Sequence, residues 1–207
     1  MLRKLLIFAA IAMLFLGVQA KTASADYNLV TNGNFSTGNF TGWSFSNPNN
    51  TAAFVMAIAP QSYVPGGPTG NEAQLGTNGL GTTTSIYQSL ATTAGTTYNV
   101  VFWLANDDPT ESSSFQALWN GNAENLTRLT NNGSLPNGTY SNAFDYNEFE
   151  FTATAIGAST ALAFAFQNDN GLYHLTDVSA TTPIPAAVWL FGSGLMGLIA
   201  LKRKYLV

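Results

Sequence analysis

Tyr98-Asn99-Val100-Val101-Phe102-Trp103-Leu104 decides the class of the fold. Tyr98, Val100, Phe102 and Leu104 recur at every second residue, so an extended chain puts all four on one face. Trp103 has the other parity and turns to the opposite face. The same spacing returns in Phe115, Ala117 and Trp119, in Phe149, Phe151 and Ala153, and in Leu162, Phe164 and Phe166. Opposite the last three stand Ala161, Ala163 and Ala165. Asn120-Gly121 follows Trp119 directly and is a hairpin pair, since both residues accept positive φ. Turn clusters at Asn47-Pro48-Asn49-Asn50, Pro65-Gly66-Gly67-Pro68, Asn131-Asn132-Gly133 and Pro136-Asn137-Gly138 punctuate the chain. Short alternating strands with frequent turns predict an all-β domain, a β-sandwich of the jelly-roll type.

The two ends have a different character. Arg3 and Lys4 precede an apolar run over 5–18, and Ala23-Ser24-Ala25 follows as a small-x-small cleavage site. Residues 1–25 therefore read as a secretory signal peptide. At the other end Pro183-Ile184-Pro185 stops any preceding element. The uncharged apolar run 186–201 follows, and then Lys202-Arg203-Lys204. That run reads as a single transmembrane helix. At the helical rise it spans about 24 Å against a hydrocarbon core of roughly 30 Å, so the flanking residues must help it across. The basic triplet keeps its end cytoplasmic and places the domain 26–182 outside.

Charge divides between these segments. Of the seven Lys and Arg only Arg128 lies in 26–182, which holds all eleven Asp and Glu. Such a domain cannot neutralise phosphates, so nucleic acid and anionic lipid surfaces are excluded as its partners. Neutral polymers and cations remain, as does simple solubility outside the cell. The chain has no Cys, which excludes thiolate chemistry and Cys-based zinc sites.

The C-terminal segment resembles the PEP-CTERM sorting signal of Gram-negative bacteria, in the variant reading Val-Pro-Leu-Pro-Ala-Ala. Pro183, Ile184, Pro185 and Ala186 take its place here, with Thr182 and Ile184 departing from it, and Lys202, Arg203 and Lys204 form its basic end. The resemblance implies processing by an exosortase, after signal peptidase has acted at the other end. The membrane is then a transient partner at an inner-membrane intermediate. The destination implied is the cell surface or extracellular matrix.

The middle carries a second resemblance. Asn28-Leu29-Val30-Thr31-Asn32-Gly33-Asn34-Phe35 with Gly42-Trp43 opens it. Ser85-Ile86-Tyr87-Gln88-Ser89-Leu90 and Ala94-Gly95-Thr96-Thr97-Tyr98 stand in its centre, and Asn168-Asp169-Asn170-Gly171 with Leu175-Thr176-Asp177-Val178-Ser179 closes it. In this order they resemble the galactose-binding-like jelly rolls of carbohydrate-binding modules. The resemblance implies non-catalytic binding of exopolysaccharide or another glycan. It also implies a structural Ca²⁺ where the first and last strands meet. Asp177 matches one ligand position of that site, and Ser36 stands where the other has an acid.

Glycan recognition needs flat aromatic surfaces with amides or acids beside them. Trp103 is the leading platform, and Tyr87 and Tyr63 lie in polar stretches where they can contribute. Trp43 and Trp119 read as packed. The run Asn106-Asp107-Asp108-Pro109-Thr110-Glu111 reads as a solvated loop or a cation site. His174 is the sole histidine and takes a structural or surface role. Glu148 and Glu150 share a strand face and are candidates for two-carboxylate glycosidase chemistry, but such spacing is common by chance and catalysis is not expected. Three functions follow: a glycan-binding surface or matrix protein, a structural or adhesive surface protein without a specific ligand, and a secreted glycoside hydrolase.

Overall fold

The four alternating runs are strands, and in each the apolar parity faces inward. The structure, a computed structural model, describes residues 27–58, 67–78, 81–107, 113–130 and 146–183. The segments 1–25 and 186–201, Tyr63, and the sorting residues Ile184, Pro185, Ala186, Lys202, Arg203 and Lys204 lie outside the described residues, and Pro183 closes them as an exposed residue. Residues Tyr27–Pro183 form one unit.

The strands in chain order are β1 (Ser44–Phe45), β2 (Thr51–Ala57), β3 (Asn71–Thr77), β4 (Thr84–Ala91), β5 (Thr97–Asn106), β6 (Ser114–Trp119), β7 (Asn122–Ala123), β8 (Thr127–Arg128), β9 (Asn147–Thr154), β10 (Ser159–Gln167) and β11 (Tyr173–Thr181). A single 3₁₀ turn, Pro48–Asn50, is the only helical element among the described residues. The five-stranded sheet runs β1-β4-β10-β6-β7 and the six-stranded sheet runs β2-β3-β11-β5-β9-β8. The strand pairs are antiparallel. The two sheets pack face to face as a β-sandwich. Asn120 and Gly121 have φ of 51° and 84° and make the tight turn between β6 and β7.

The core lies between the sheets and is largely aromatic. Phe102 on β5 sits 5.0 Å from Phe164 on β10, 6.0 Å from Phe115 on β6 and 5.8 Å from Phe149 on β9. Each such ring, fully buried, contributes roughly 1.5–3 kcal/mol of transfer free energy. Trp119 joins this core 5.8 Å from Tyr98. Trp43 stacks on Phe35 at 5.9 Å and donates its indole N–H to the Asn32 carbonyl. Both tryptophans are packed, as their settings in the sequence implied.

The segment before β1 is clamped to the last strand. Leu29 N–H donates to the Ala180 carbonyl, and the Asn28 side-chain oxygen accepts from Val30 N–H and Ala180 N–H. Val178 N–H donates to the Gly33 carbonyl at 3.0 Å. A Cβ on residue 33 would lie 2.0 Å from the Val178 carbonyl oxygen, so only glycine permits this approach. Gln88 closes the same region from β4, accepting from Thr31 N–H and donating to the Thr31 carbonyl.

Candidate functional site

The outer face of the six-stranded sheet is built by strand register. Met56 on β2 lies opposite Glu72 on β3, Thr176 on β11 opposite Trp103 on β5, and Trp103 opposite Glu148 on β9. Leu129, just past β8, donates its N–H to the Glu148 carbonyl and ends this row. The adjacent row runs through Phe54, Gln74, His174 and Ala105. Residues two apart share a face, so Glu150 joins Glu148 and Val101 joins Trp103.

Trp103 is half-buried there, while its neighbours in sequence, Phe102 and Leu104, are buried in the core. Glu148 and Glu150 are half-buried beside it. Burial, and then the charge of Glu150, push the Glu148 carboxyl above the usual carboxylate range.

Next to this open part the same face holds a covered polar cluster. His174 is 2% exposed, as is Glu72, although both point away from the core between the sheets. His174 Nδ1 lies 2.9 Å from Glu72 Oε1, and His174 Nε2 lies 3.6 Å from Asp107 Oδ2. Gln74 donates to Glu72 Oε1 at 2.9 Å, and the buried Tyr146 hydroxyl donates to Glu72 Oε2. The Tyr146 ring meets the imidazole edge-on at a centroid distance of 6.5 Å. Asp107 accepts from Leu172 N–H. Burial alone pushes the imidazole pKa down, but the nearby carboxyl groups of Asp107 and Glu72 outweigh it and raise it to about 9. Burial pushes Asp107 up, and the His174 and Leu172 hydrogen bonds outweigh it and hold the carboxyl below its ordinary value. The imidazole thus lies between the carboxyl groups of Glu72 and Asp107, tying β3, β11, the end of β5 and the approach to β9.

Several expectations change in this light. Of the structural and surface roles open to His174, the structure gives the structural one, a buried ion-paired group. Asn106 and Asp107 do not belong to a solvated loop. Asn106 is 1% exposed and accepts from Asn168 Nδ2 at 2.8 Å, while Asp107 faces His174; Asp108 and Glu111 lie outside the described residues. Tyr87 is 38% exposed, but it stands on β4, opposite Ser44 and Ala163, on the outer face of the five-stranded sheet. It is across the whole sandwich from Trp103, so the two cannot form one platform.

Asp177 lines an open depression that Ser36 does not line. Asp177 lies in a β-bulge between Thr176 and Ser179, at φ 48°. An open depression of about 290 Å³ beside it is lined by Asn28, Val30, Asn32, Gly33, Asn34, Asp177, Val178 and Ser179; Ser36 is not part of it. Asp177 is the sole carboxylate of this lining. The side-chain oxygens of Asn28, Asn32 and Asn34 already accept backbone N–H groups. Calcium needs several hard oxygens, with carboxylates setting the affinity, and among these side chains Asp177 supplies the one carboxylate. Burial pushes the Asp177 carboxyl up.

Glu72 carried no signal in the sequence. It alternates with Ala73 and Leu75, so parity alone turns it outward to water. Its cover comes from Tyr146 and His174, which are 74 and 102 residues away along the chain.

No protein-family model matches this chain, and no curated protein sequence matches it. Solved structures do. The enzymatically active domain of tailspike protein 4 from bacteriophage CBA120 aligns at a TM-score of 0.52 and 13% identity, over 75% of this chain and 21% of the tailspike chain. This chain therefore spans about a fifth of that protein. The module TmCBM61, solved with β-1,4-galactotriose, aligns at 0.49 and 14% identity, over 76% of this chain and 99% of the module. The xylan-binding domain CBM22-1 of Paenibacillus barcinonensis Xyn10C aligns at 0.49 and 12%, over 78% and 97%. At these identities the likeness speaks to the fold alone.

Proposed function

We propose that this chain is an exported surface or matrix protein whose jelly-roll sandwich binds a glycan without cleaving it. Trp103 is the platform. The observation that carries this reading is its position, half-buried on an outer sheet face directly opposite Glu148. An indole in that setting presents an apolar plane to the C–H face of a sugar ring. Glu148 and Glu150 lie at its side as acceptors for sugar hydroxyls. The Glu72–His174–Asp107 cluster holds the adjoining strands in fixed register, so the platform needs little ordering when ligand arrives. The acid surplus favours a neutral glycan over a polyanionic one. Galactotriose and xylan, the ligands named for the two modules above, are of that neutral kind.

Export by the signal peptide, an inner-membrane intermediate, and release by an exosortase at Pro183–Ala186 complete the reading. It rests on the sequence of the two ends. The glycan reading is tested by affinity electrophoresis of the protein through gels containing the producing organism's own exopolysaccharide. Retardation that Trp103→Ala abolishes and Tyr87→Ala leaves intact is expected. Equal mobility of wild type and Trp103→Ala in every gel overturns it.

A second reading, hydrolysis, is favoured by one observation: Glu148 and Glu150 stand side by side on the face that carries Trp103, and burial and Glu150 push the Glu148 carboxyl up. It requires turnover of that polysaccharide, lost in Glu148→Gln.

A further inference from the structure

The sandwich has four sheet edges among the described residues, and they are not alike. β1, β7 and β8 are two-residue strands. Such short edges offer little to a second chain. β2 is the exception: seven residues, Thr-Ala-Ala-Phe-Val-Met-Ala, with no charge and no proline. Phe54 is 55% exposed and Met56 is 52% exposed on its outer side.

The hydrogen-bond phase of this strand follows from its two ends. Asn78 N–H donates to the Asn50 carbonyl, and Ile58 N–H donates to the Gly70 carbonyl. Hydrogen-bonded pairs alternate along an antiparallel ladder. Residues 50, 52, 54, 56 and 58 therefore spend their backbone groups on β3. Thr51, Ala53, Val55 and Ala57 point theirs outward, away from the sheet.

We propose that two copies of this chain pair β2 to β2, antiparallel, about a two-fold axis through Phe54. That register sets Thr51 against Ala57 of the second copy and Ala53 against its Val55. Every outward N–H and carbonyl over the strand then finds a partner. Phe54 meets its own equivalent as a non-hydrogen-bonded pair, where side chains approach most closely. Charge selects the place of contact. The domain carries all eleven acids against one arginine, so two copies repel wherever their charged surfaces meet. Across β2 neither brings a charge, and the contact is self-complementary, as a two-fold interface must be. The pairing uses the one long terminal strand of each copy.

The chain has no cysteine, so a single introduced one reports proximity cleanly. In the full chain in mild detergent, Phe54→Cys is expected to give a disulfide-linked dimer on mild oxidation. The control Ile156→Cys, placed at a residue 78% exposed between β9 and β10, is expected to stay monomeric. Without cross-linking, the wild type is expected to sediment as a dimer that added salt strengthens, because salt screens the repulsion between copies. Phe54→Lys places two like charges on the axis at an exposed position and is expected to sediment as a monomer with an unchanged far-UV spectrum. Ala53→Pro removes an outward N–H without touching the β3 ladder and is expected to behave alike. Equal cross-linking of both cysteine variants, cross-linking of neither, a monomeric wild type, or a Phe54→Lys protein that stays dimeric each overturns the proposal.

Discussion

His174 Nδ1 and Glu72 Oε1 lie 2.9 Å apart, joining β11 to β3 on the outer face of the sheet, with both side chains buried. Asp107 stands on the other side of the same ring. Removing one partner from such a cluster leaves the others charged and away from water, a larger loss than a surface ion pair gives. The folded pKa of His174, about 9, lies above its unfolded value near 6.5. Its contribution is therefore complete below about pH 6.5 and is lost as pH rises through about 9. The melting temperature should fall over that window, by an amount corresponding to at most about 3 kcal/mol. In His174→Gln the melting temperature should be lower and nearly flat across it. A wild-type curve flat from pH 6.5 to 9.5 contradicts the ion-paired assignment.

Asp107 sets the opposite limb. Its folded pKa is depressed, so its contribution is present above the unfolded value near 3.9 and lost as pH falls through the lower folded one. Acid titration of Asp107→Asn followed by near-ultraviolet circular dichroism should show an unfolding midpoint less dependent on pH than the wild type.

Phe102 and Trp103 are adjacent and should respond in contrary ways. Phe102→Ala removes a ring packed against Phe115, Phe149 and Phe164, and is expected to cost about 3–5 kcal/mol. Trp103→Ala on the outer face is expected to leave the fold in place and abolish retardation by glycan. Urea unfolding and affinity electrophoresis of the two variants check both halves.

Gly33→Ala drives a methyl group into the Val178 carbonyl, 2.0 Å from the ideal Cβ position. Backbone cannot swing aside as a side chain can. A loss of about 1–3 kcal/mol is expected, read as a lower urea midpoint with an unchanged slope.

Metal removal should do nothing. The depression at Asp177 has one carboxylate, and its asparagine oxygens are engaged by backbone N–H groups. EDTA is expected to leave the melting temperature where it was. A drop that added Ca²⁺ reverses, and that Asp177→Asn removes, would restore the calcium site.

Much of the architecture was legible along the chain. The alternation at Tyr98–Leu104, Phe115–Trp119, Phe149–Ala153 and Leu162–Phe166 identified four inward faces, because side-chain direction in a strand follows from parity alone. Asn120-Gly121 announced its turn for an equally local reason. The polar side was less legible. Trp103 was recognisable as an outward residue and Tyr87 as one in a polar stretch, yet which sheet each strand joins depends on strand order, and that is a non-local outcome. Asp177 fell in a bulge, where parity fails.

Sequence by itself determined the β class, the inward faces, the packed tryptophans, the outward Trp103, and the surplus of acids. These are properties of single residues or near neighbours. Tertiary structure alone decided that Glu72, Asp107, Tyr146 and His174 meet, that Tyr87 and Trp103 lie on opposite sides of the sandwich, and that Ser36 is not part of the depression at Asp177. It also decided that β2 is left at an edge. Each of these depends on strands distant in sequence being laid side by side. The free energy that sets them there is burial of the aromatic core, to which none of those polar side chains belongs.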